Sequence, residues 1–357
     1  VQASNIIGSD TGIITVNIIP LSIDYSISNP RDFVKVNADT NIFGDLLMIG
    51  NQSLCWKNGG TDCANPPSNA SNNDYTQHHI NKDTIAAAAG YVNSTSADLV
   101  LGPDDVVIEA WLYWIGRIYN ETSKRPLART VRLRVPGSDT YTTITSLASK
   151  YNWMVDGSYF DYGGGANITS YVQAAGEGTY WVADLQATEM ENQGSGWAMA
   201  VIVRDTSTNT RTMKNISLYD GFVGVFDGSS AYPNSVTSTI SGFRTPNSGT
   251  IDSNLIGFAG ESDRSLNDSL SITNSTGPVL LQDSLANTSN VQNGNISRDG
   301  ANVTDRNPNY ANTLGIDIDE ISTSSVMDYD QQSTDITVTS NGDRIFLAMY
   351  GFATELY

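Results

Sequence analysis

Residues 106–116 read Val-Val-Ile-Glu-Ala-Trp-Leu-Tyr-Trp-Ile-Gly. Eleven residues with three aromatics, β-branched Val and Ile and one charge suit a central strand. Residues 196–205, GWAMAVIVRD, read the same way, and 43–50, FGDLLMIG, read as a shorter strand. Working outward, further strands are expected at 130–135, 140–146 and 178–186. In the second half they are expected at 214–227, 235–243, 254–259, 269–273, 313–321, 334–340 and 343–357. Gly, Pro, Asn and Asp recur between them as turn residues. Asp83 to Gly90 reads as a short helix with Asp83 as its N-cap, and Thr169 to Gly176 as one or two turns. The pattern predicts an all-β fold of two closely packed, jelly-roll-like β-sandwich lobes with short helices. Residues 31–208 form the first lobe and 209–357 the second, divided at the polar stretch 205–212. Residues 274–310, polar and poor in aromatics, read as a long loop or excursion.

Composition excludes several classes. The 357 residues carry 19 Lys and Arg against 38 Asp and Glu, a net charge of -19. That charge repels phosphate backbones and anionic headgroups, which argues against nucleic-acid and membrane-surface binding. No apolar run reaches the roughly 18 residues of a spanning helix, so membrane insertion is not expected. Hydrophobic residues make up 39%, enough to support a core.

Residues 1–30 are expected to form an extended amino-terminal arm. In 13–27, IITVNIIPLSIDYSI, Ile14, Val16 and Ile18 alternate with polar residues, and Leu21, Ile23, Tyr25 and Ile27 continue after a phase change at Pro20. This predicts two half-strands joined by a bulge. Their seven apolar side chains need a surface to bury them, either the chain's own sandwich or a neighbouring subunit. Burial at roughly 1.5–3 kcal/mol each is a large gross term.

The opening Val1-Gln2-Ala3, without Met, fits a removed signal peptide. Cys55 and Cys63, the only cysteines, flank a turn at Asn58-Gly59-Gly60 and read as a local disulfide, with two free thiols as the alternative. Eleven Asn-x-Ser/Thr sequons occur, at Asn51, Asn69, Asn93, Asn120, Asn167, Asn215, Asn267, Asn274, Asn287, Asn295 and Asn302. They fit a glycosylated extracellular surface protein, although a chain rich in Asn, Ser and Thr makes many by chance.

Several segments together resemble a family of large secreted bacterial and archaeal surface proteins, adhesin-like and often repeat-bearing. They are Gly44-Asp-Leu-Leu-Met-Ile-Gly-Asn51, Asn72-Asn-Asp-Tyr75, Asn93–Ala97 with Trp111–Trp114, and Gly196-Trp-Ala-Met-Ala-Val-Ile-Val203. Asn215–Phe222, Gly257-Phe-Ala-Gly-Glu-Ser-Asp-Arg264, Asn307–Asp319 and Gly351–Tyr357 complete the set. The resemblance spans roughly residues 36–357. It implies a secreted, cell-surface, adhesin-like or structural role, and no catalytic residues. This chain ends at Glu355-Leu-Tyr357, where the large members continue into repeats, and it adds the apolar arm.

An enzyme is not expected. His78 and His79 are the only histidines, they sit in a polar loop, and no Gly-x-Ser-x-Gly elbow accompanies them. Gly163-Gly-Gly165 lacks the Lys of a phosphate loop. With 38 acids, a glycosidase-like pair cannot be placed from sequence. Calcium is the expected cofactor. Glu261, Asp263 and Asp268 cluster after a strand, and Asp317 and Asp319 lie two apart on one strand face. Solvated or turn-capping acids are the alternative. The function expected is an extracellular structural subunit of a cell-surface filament, sheath or lattice. Identical subunits would join head-to-tail by exchange of the amino-terminal strand. A monomeric adhesin head or carbohydrate-binding module is the alternative, with Trp56, Trp153, Tyr159, Phe160 and Tyr162 as a sugar-stacking platform for glycans.

Overall fold

The run 106–116 lies in the strand Asp105–Tyr119, in the middle of the first inner sheet. It pairs antiparallel with Gly196–Asp205 on one side and Tyr159–Asn167 on the other. Thr40–Gln52 and Asn152–Asp156 widen the sheet. Leu112, Trp114 and Ile118 enter one core, while Trp111, Tyr113 and Ile115 enter another. Both faces of the strand are covered, which is why the run shows no polar alternation. The computed structural model describes residues 23–37, 40–207 and 211–357.

Among the described residues the strands stack as four layers, the two inner layers being the halves of one long sheet that folds back on itself, while Leu54–Trp56 and Gln77–His79 pair as a separate ribbon. The first outer sheet runs Arg306–Asn307, Ser94–Leu99, Gly178–Ala183, Thr130–Arg134, Thr142–Thr145. It covers one face of the first inner sheet, with Leu99, Val131, Leu133, Tyr180, Trp197 and Val201 in the core between them. The second inner sheet is built from Met213–Val225, Ile345–Glu355, Ser253–Ser262, Gly315–Ser322 and Ile296–Arg298. The second outer sheet runs Ser235–Ser241, Ser333–Ser340, Asp268–Asn274, Gly277–Leu280 and closes a third core around Ile272, Ile336 and Phe352. The inner sheets meet face to face, packing Leu46 and Ile115 of one with Phe258, Ile318 and Met349 of the other. At one corner the ladder is continuous, since Met213–Ile216 pairs with Thr40–Phe43. The fold is all-β, two sandwiches sharing a central core.

Chain segments cross between the lobes. Arg31–Lys35 pairs with Met213–Val225 of the second inner sheet. Arg306–Asn307, within the polar excursion 274–310, returns to pair with Ser94–Leu99 of the first outer sheet. Both expected short helices form, at Thr84–Ala88 and Thr169–Ala175. The Asp83 side chain caps the first by accepting from the Ile85 N–H. Among the described residues no helix is long and apolar enough to cross a membrane.

The arm differs from expectation where it is described. Ile14, Val16, Ile18 and Leu21 lie outside the described residues. Ile23, Tyr25 and Ile27 do not continue a strand, because residues 24–27 form a turn. Asp24 Oδ1 accepts from the Ser26 N–H at 2.9 Å and the Ser26 hydroxyl at 2.6 Å, a local bond that competes with extended pairing. Ile23 and Ile27 are left 43% and 66% exposed. Tyr25 packs against Trp153, Phe160 and Tyr151 of its own chain. Asn29 then bridges to Trp153 at the sheet edge.

Candidate functional site

The acidic residues singled out in the sequence fall into two clusters. The first lies at the seam between the inner sheets. Arg117 and Asp161 are direct cross-strand partners, and Arg117 Nε donates to Asp161 Oδ1 at 2.5 Å. The opposing strand Ser253–Ser262 carries a bulge between Gly260 and Ser262, with Glu261 at φ +65°. A bulge re-aims a side chain, and here the Glu261 carboxylate ion-pairs with Arg117 Nη1. Glu261 Oε2 also accepts from Asn72 Nδ2 at 2.9 Å. Asp263 accepts from the Asn72 N–H and from Asn73 Nδ2, while its own N–H donates to Asp343 Oδ2. Segments 72–75 and 261–264, distant in sequence, thus dock on each other.

Arg117, Asp161 and Glu261 are all buried. Burial opposes the Arg117 charge, but Asp161 and Glu261 more than offset it and hold its pKa above the ordinary value. Burial pushes Glu261 up, against the pull of Arg117. Burial also raises Asp343, to about 9, with Asp263, Asp268 and Glu261 adding to the rise. A guanidinium wedged between two carboxylates locks the lobes together. It does not leave two free acids facing a cleft.

The second cluster is the segment 290–297 wrapped over Asp268, Asp317 and Asp319. Asp268 Oδ1 accepts from the Val291 and Gln292 N–H groups at 2.8 and 3.0 Å. Asp317 Oδ2 accepts from the Gly294 N–H at 3.0 Å, and Asp319 Oδ1 from the Ser297 hydroxyl at 2.5 Å. Asp317 and Asp319 share a strand face, and both line a small cavity of the second sandwich. The expected group of Glu261, Asp263 and Asp268 is therefore divided between the two clusters. Glu261 and Asp263 are bound by Arg117, Asn72 and Asn73 at the seam, and Asp268, Asp317 and Asp319 stand apart from them. Among the described residues no three His, Cys, Asp or Glu side chains gather to hold a metal ion.

Cys55 and Cys63 are joined by a disulfide, with Cα atoms 5.7 Å apart. Asn51, Asn93, Asn215 and Asn295 are buried, which corrects their reading as glycan acceptors. The amide nitrogen that would carry a glycan donates to Ser96 and Pro308 carbonyls at Asn51, to Leu185 O at Asn93 and to Asn41 Oδ1 at Asn215. At Asn295 it donates to Asn293 Oδ1. Asn69, Asn120, Asn167, Asn267, Asn287 and Asn302 are exposed, and Asn274 is half-buried. Trp153, Phe160 and Tyr162 are core residues, leaving Trp56 and Tyr159 half-exposed. His78 lies 3.7 Å from Glu189, and His79 receives Asn93 at its ring nitrogen.

Sequence reading missed Arg117, Asp161, Asp343 and the amides of 290–295. Arg117 was legible only as the lone cation ending a long apolar run, which marks a charge needing a buried partner.

No protein-family model matches this chain, and no curated protein matches it. Among solved structures, dimeric latent PorU from Porphyromonas gingivalis is similar at 12% identity and TM-score 0.25, over 71% of this chain and 25% of that one. PNGF-II is similar at 9% identity and TM-score 0.23, over 91% and 66%. PBCV-1 VP54, fitted into a reconstruction of the virophage Sputnik, is similar at 8% identity and TM-score 0.23, over 89% and 95%. This chain spans about a quarter of the PorU chain and just under two thirds of the PNGF-II chain.

Proposed function

We propose that this chain is an extracellular structural subunit, and that residues 11–22 complete the second outer sheet of a neighbouring copy. The observation that supports this reading is the free edge of Ser235–Ser241. That strand ends its sheet and pairs only with Ser333–Ser340 among the described residues. Beside it, half-buried Phe33 and Val236 form an apolar margin with Tyr350. An open edge next to apolar surface is a template for strand addition. The alternating Ile14, Val16 and Ile18 supply a strand of matching character. The contact joins different surfaces of the two copies, so it propagates and builds a filament, sheath or lattice. Exposed sequons and the -19 charge keep such a polymer hydrated.

Because Tyr25 and Asn29 are docked on the body, the informative truncation removes residues 1–22 and keeps them. The truncated chain is expected to remain monomeric by sedimentation and electron microscopy while the full chain polymerises. A peptide of residues 11–22 is expected to bind the truncated chain. Polymers formed by the truncated chain would end the strand-exchange reading.

A further inference from the structure

We infer that residues 13–19 of one copy seat centrally on Ser235–Ser241 of the next, with Val16 beside Ser238 above an aromatic floor of Phe33, Tyr219 and Tyr350. This rests on the strand-exchange reading and adds to it the acceptor's floor and the register. Ser235–Ser241 ends the four-stranded outer sheet of the second sandwich. Near that edge the inner layer carries three rings in contact. The Phe33 and Tyr350 ring centres lie 4.8 Å apart, and Tyr219 stacks on Tyr350 at 5.1 Å. Phe33 and Tyr219 are only half-buried, as are Val236 and Ser238 of the edge strand.

The interior is unfilled on the same side. A cavity of about 40 Å³ touches Phe33, Val236, Ser238 and Tyr350 at this margin and continues inward past Gly257. Gly257 stays half-exposed although strands flank it on both sides, and a Cβ there would meet nothing within 4 Å. Small-molecule pockets usually enclose roughly 300 Å³ or more, so the margin suits the side chains of an added strand instead.

Length and alternation set the register. Ser235–Ser241 is seven residues long, with Val236, Ser238 and Ile240 turned inward and Ser235, Thr237, Thr239 and Ser241 exposed. Residues 13–19, between Gly12 and Pro20, are also seven. Glycine weakens a strand and proline cannot donate to a ladder, so these two residues bound the run. Centred on each other, the two runs place Val16 opposite Ser238 in either strand direction. Ile14 and Ile18 then face inward beside Val236 and Ile240, and Thr15 and Asn17 face outward beside Thr237 and Thr239. Ser238, the smallest of the three inward residues, leaves room for Val16 above the rings. A slip of one residue would turn all three apolar side chains to solvent.

Disulfide trapping in the full chain tests the seat. Cys55 and Cys63 are bonded to each other and leave no competing thiol. Directly facing residues hold their Cα atoms roughly 4.5–5.5 Å apart, within disulfide reach. A chain carrying Val16→Cys and Ser238→Cys is expected to give, on oxidation, a ladder of covalent multimers that collapses to monomer on reduction. Val16→Cys with Val236→Cys is expected to give at least about tenfold less multimer, because diagonal neighbours lie roughly 7–8 Å apart. Val16→Asp, which buries a charge over the rings, is expected to raise the concentration needed for assembly at least about tenfold. Thr15→Asp, on the outer face, is expected to raise it less than about twofold. Assembly without a preference for Ser238→Cys, or with equal effects of the two aspartates, would overturn the seat alone. Links confined to single chains would uphold the seat and end the exchange between copies. A chain that neither assembles nor cross-links would end both.

Discussion

Asp343 shows how one buried group sets a response to pH. Its Oδ2 accepts from the Asp263 N–H, and burial lifts its pKa from 3.8 to about 9. Between those values the folded chain holds a proton that the unfolded chain has released. Stability is therefore greatest below the unfolded pKa and falls as pH rises toward about 9. Asp343→Asn, which keeps the shape without the charge, is expected to raise the denaturation midpoint at pH 8 and flatten its fall between pH 5 and 8. Measurement in chelator keeps calcium out of the comparison. An unchanged slope would assign the pH response elsewhere, for example to Glu261, which burial also raises.

Among the elements, the inner layers come into backbone contact at a glycine. A Cβ on Gly194, just before the strand Gly196–Asp205, would lie 2.8 Å from both the Glu261 nitrogen and the Gly315 oxygen. Those are backbone atoms of the facing sheet and cannot swing away. Gly194→Ala is expected to cost about 1–3 kcal/mol in chemical denaturation, the usual range for overpacking. Gly257→Ala is the control, since its Cβ meets nothing within 4 Å. It is expected to stay within about 0.5 kcal/mol of wild type. Equal effects at both positions would mean that the seam relaxes more readily than backbone contact allows. The strands themselves were legible, because Trp111, Tyr113 and Leu112 leave no polar face to read as anything but a covered strand. The turn at Asp24 was not legible. The apolar alternation of 21–27 continues through it, while in the structure the Asp24–Ser26 bond forms beside the contact of Tyr25 with the Trp153 and Phe160 rings, a partner far away in sequence.

For the whole molecule, the shared core makes the lobes interdependent. Phe258, Ile318 and Met349 bury against Leu46 and Ile115, and the ladder runs from one inner sheet to the other. The full chain is expected to melt in one calorimetric transition. Residues 211–357 alone lose Thr40–Gln52, Arg31–Lys35 and the cover over the inner face. That fragment is expected to aggregate or bind a hydrophobic dye, and a soluble, cooperatively folding fragment would make the second lobe autonomous. The sequence by itself determined the all-β class, many of the strands and the Asp83 cap, because alternation, turn residues and capping act over a few neighbours; it did not show Ser94–Leu99 or Tyr159–Asn167, whose Gly163–Gly165 reads as a turn and is paired strand in the structure. It also brought Asp317 and Asp319 to one face, since strand period is local. Only the tertiary structure decided that Glu261 belongs to Arg117, that four sequon asparagines are buried, and that the amides of 290–295 close over the acid pair. Those outcomes depend on which surfaces meet across sequence separations of a hundred residues or more in the first case, and on burial in all of them. Local chemistry does not encode either quantity.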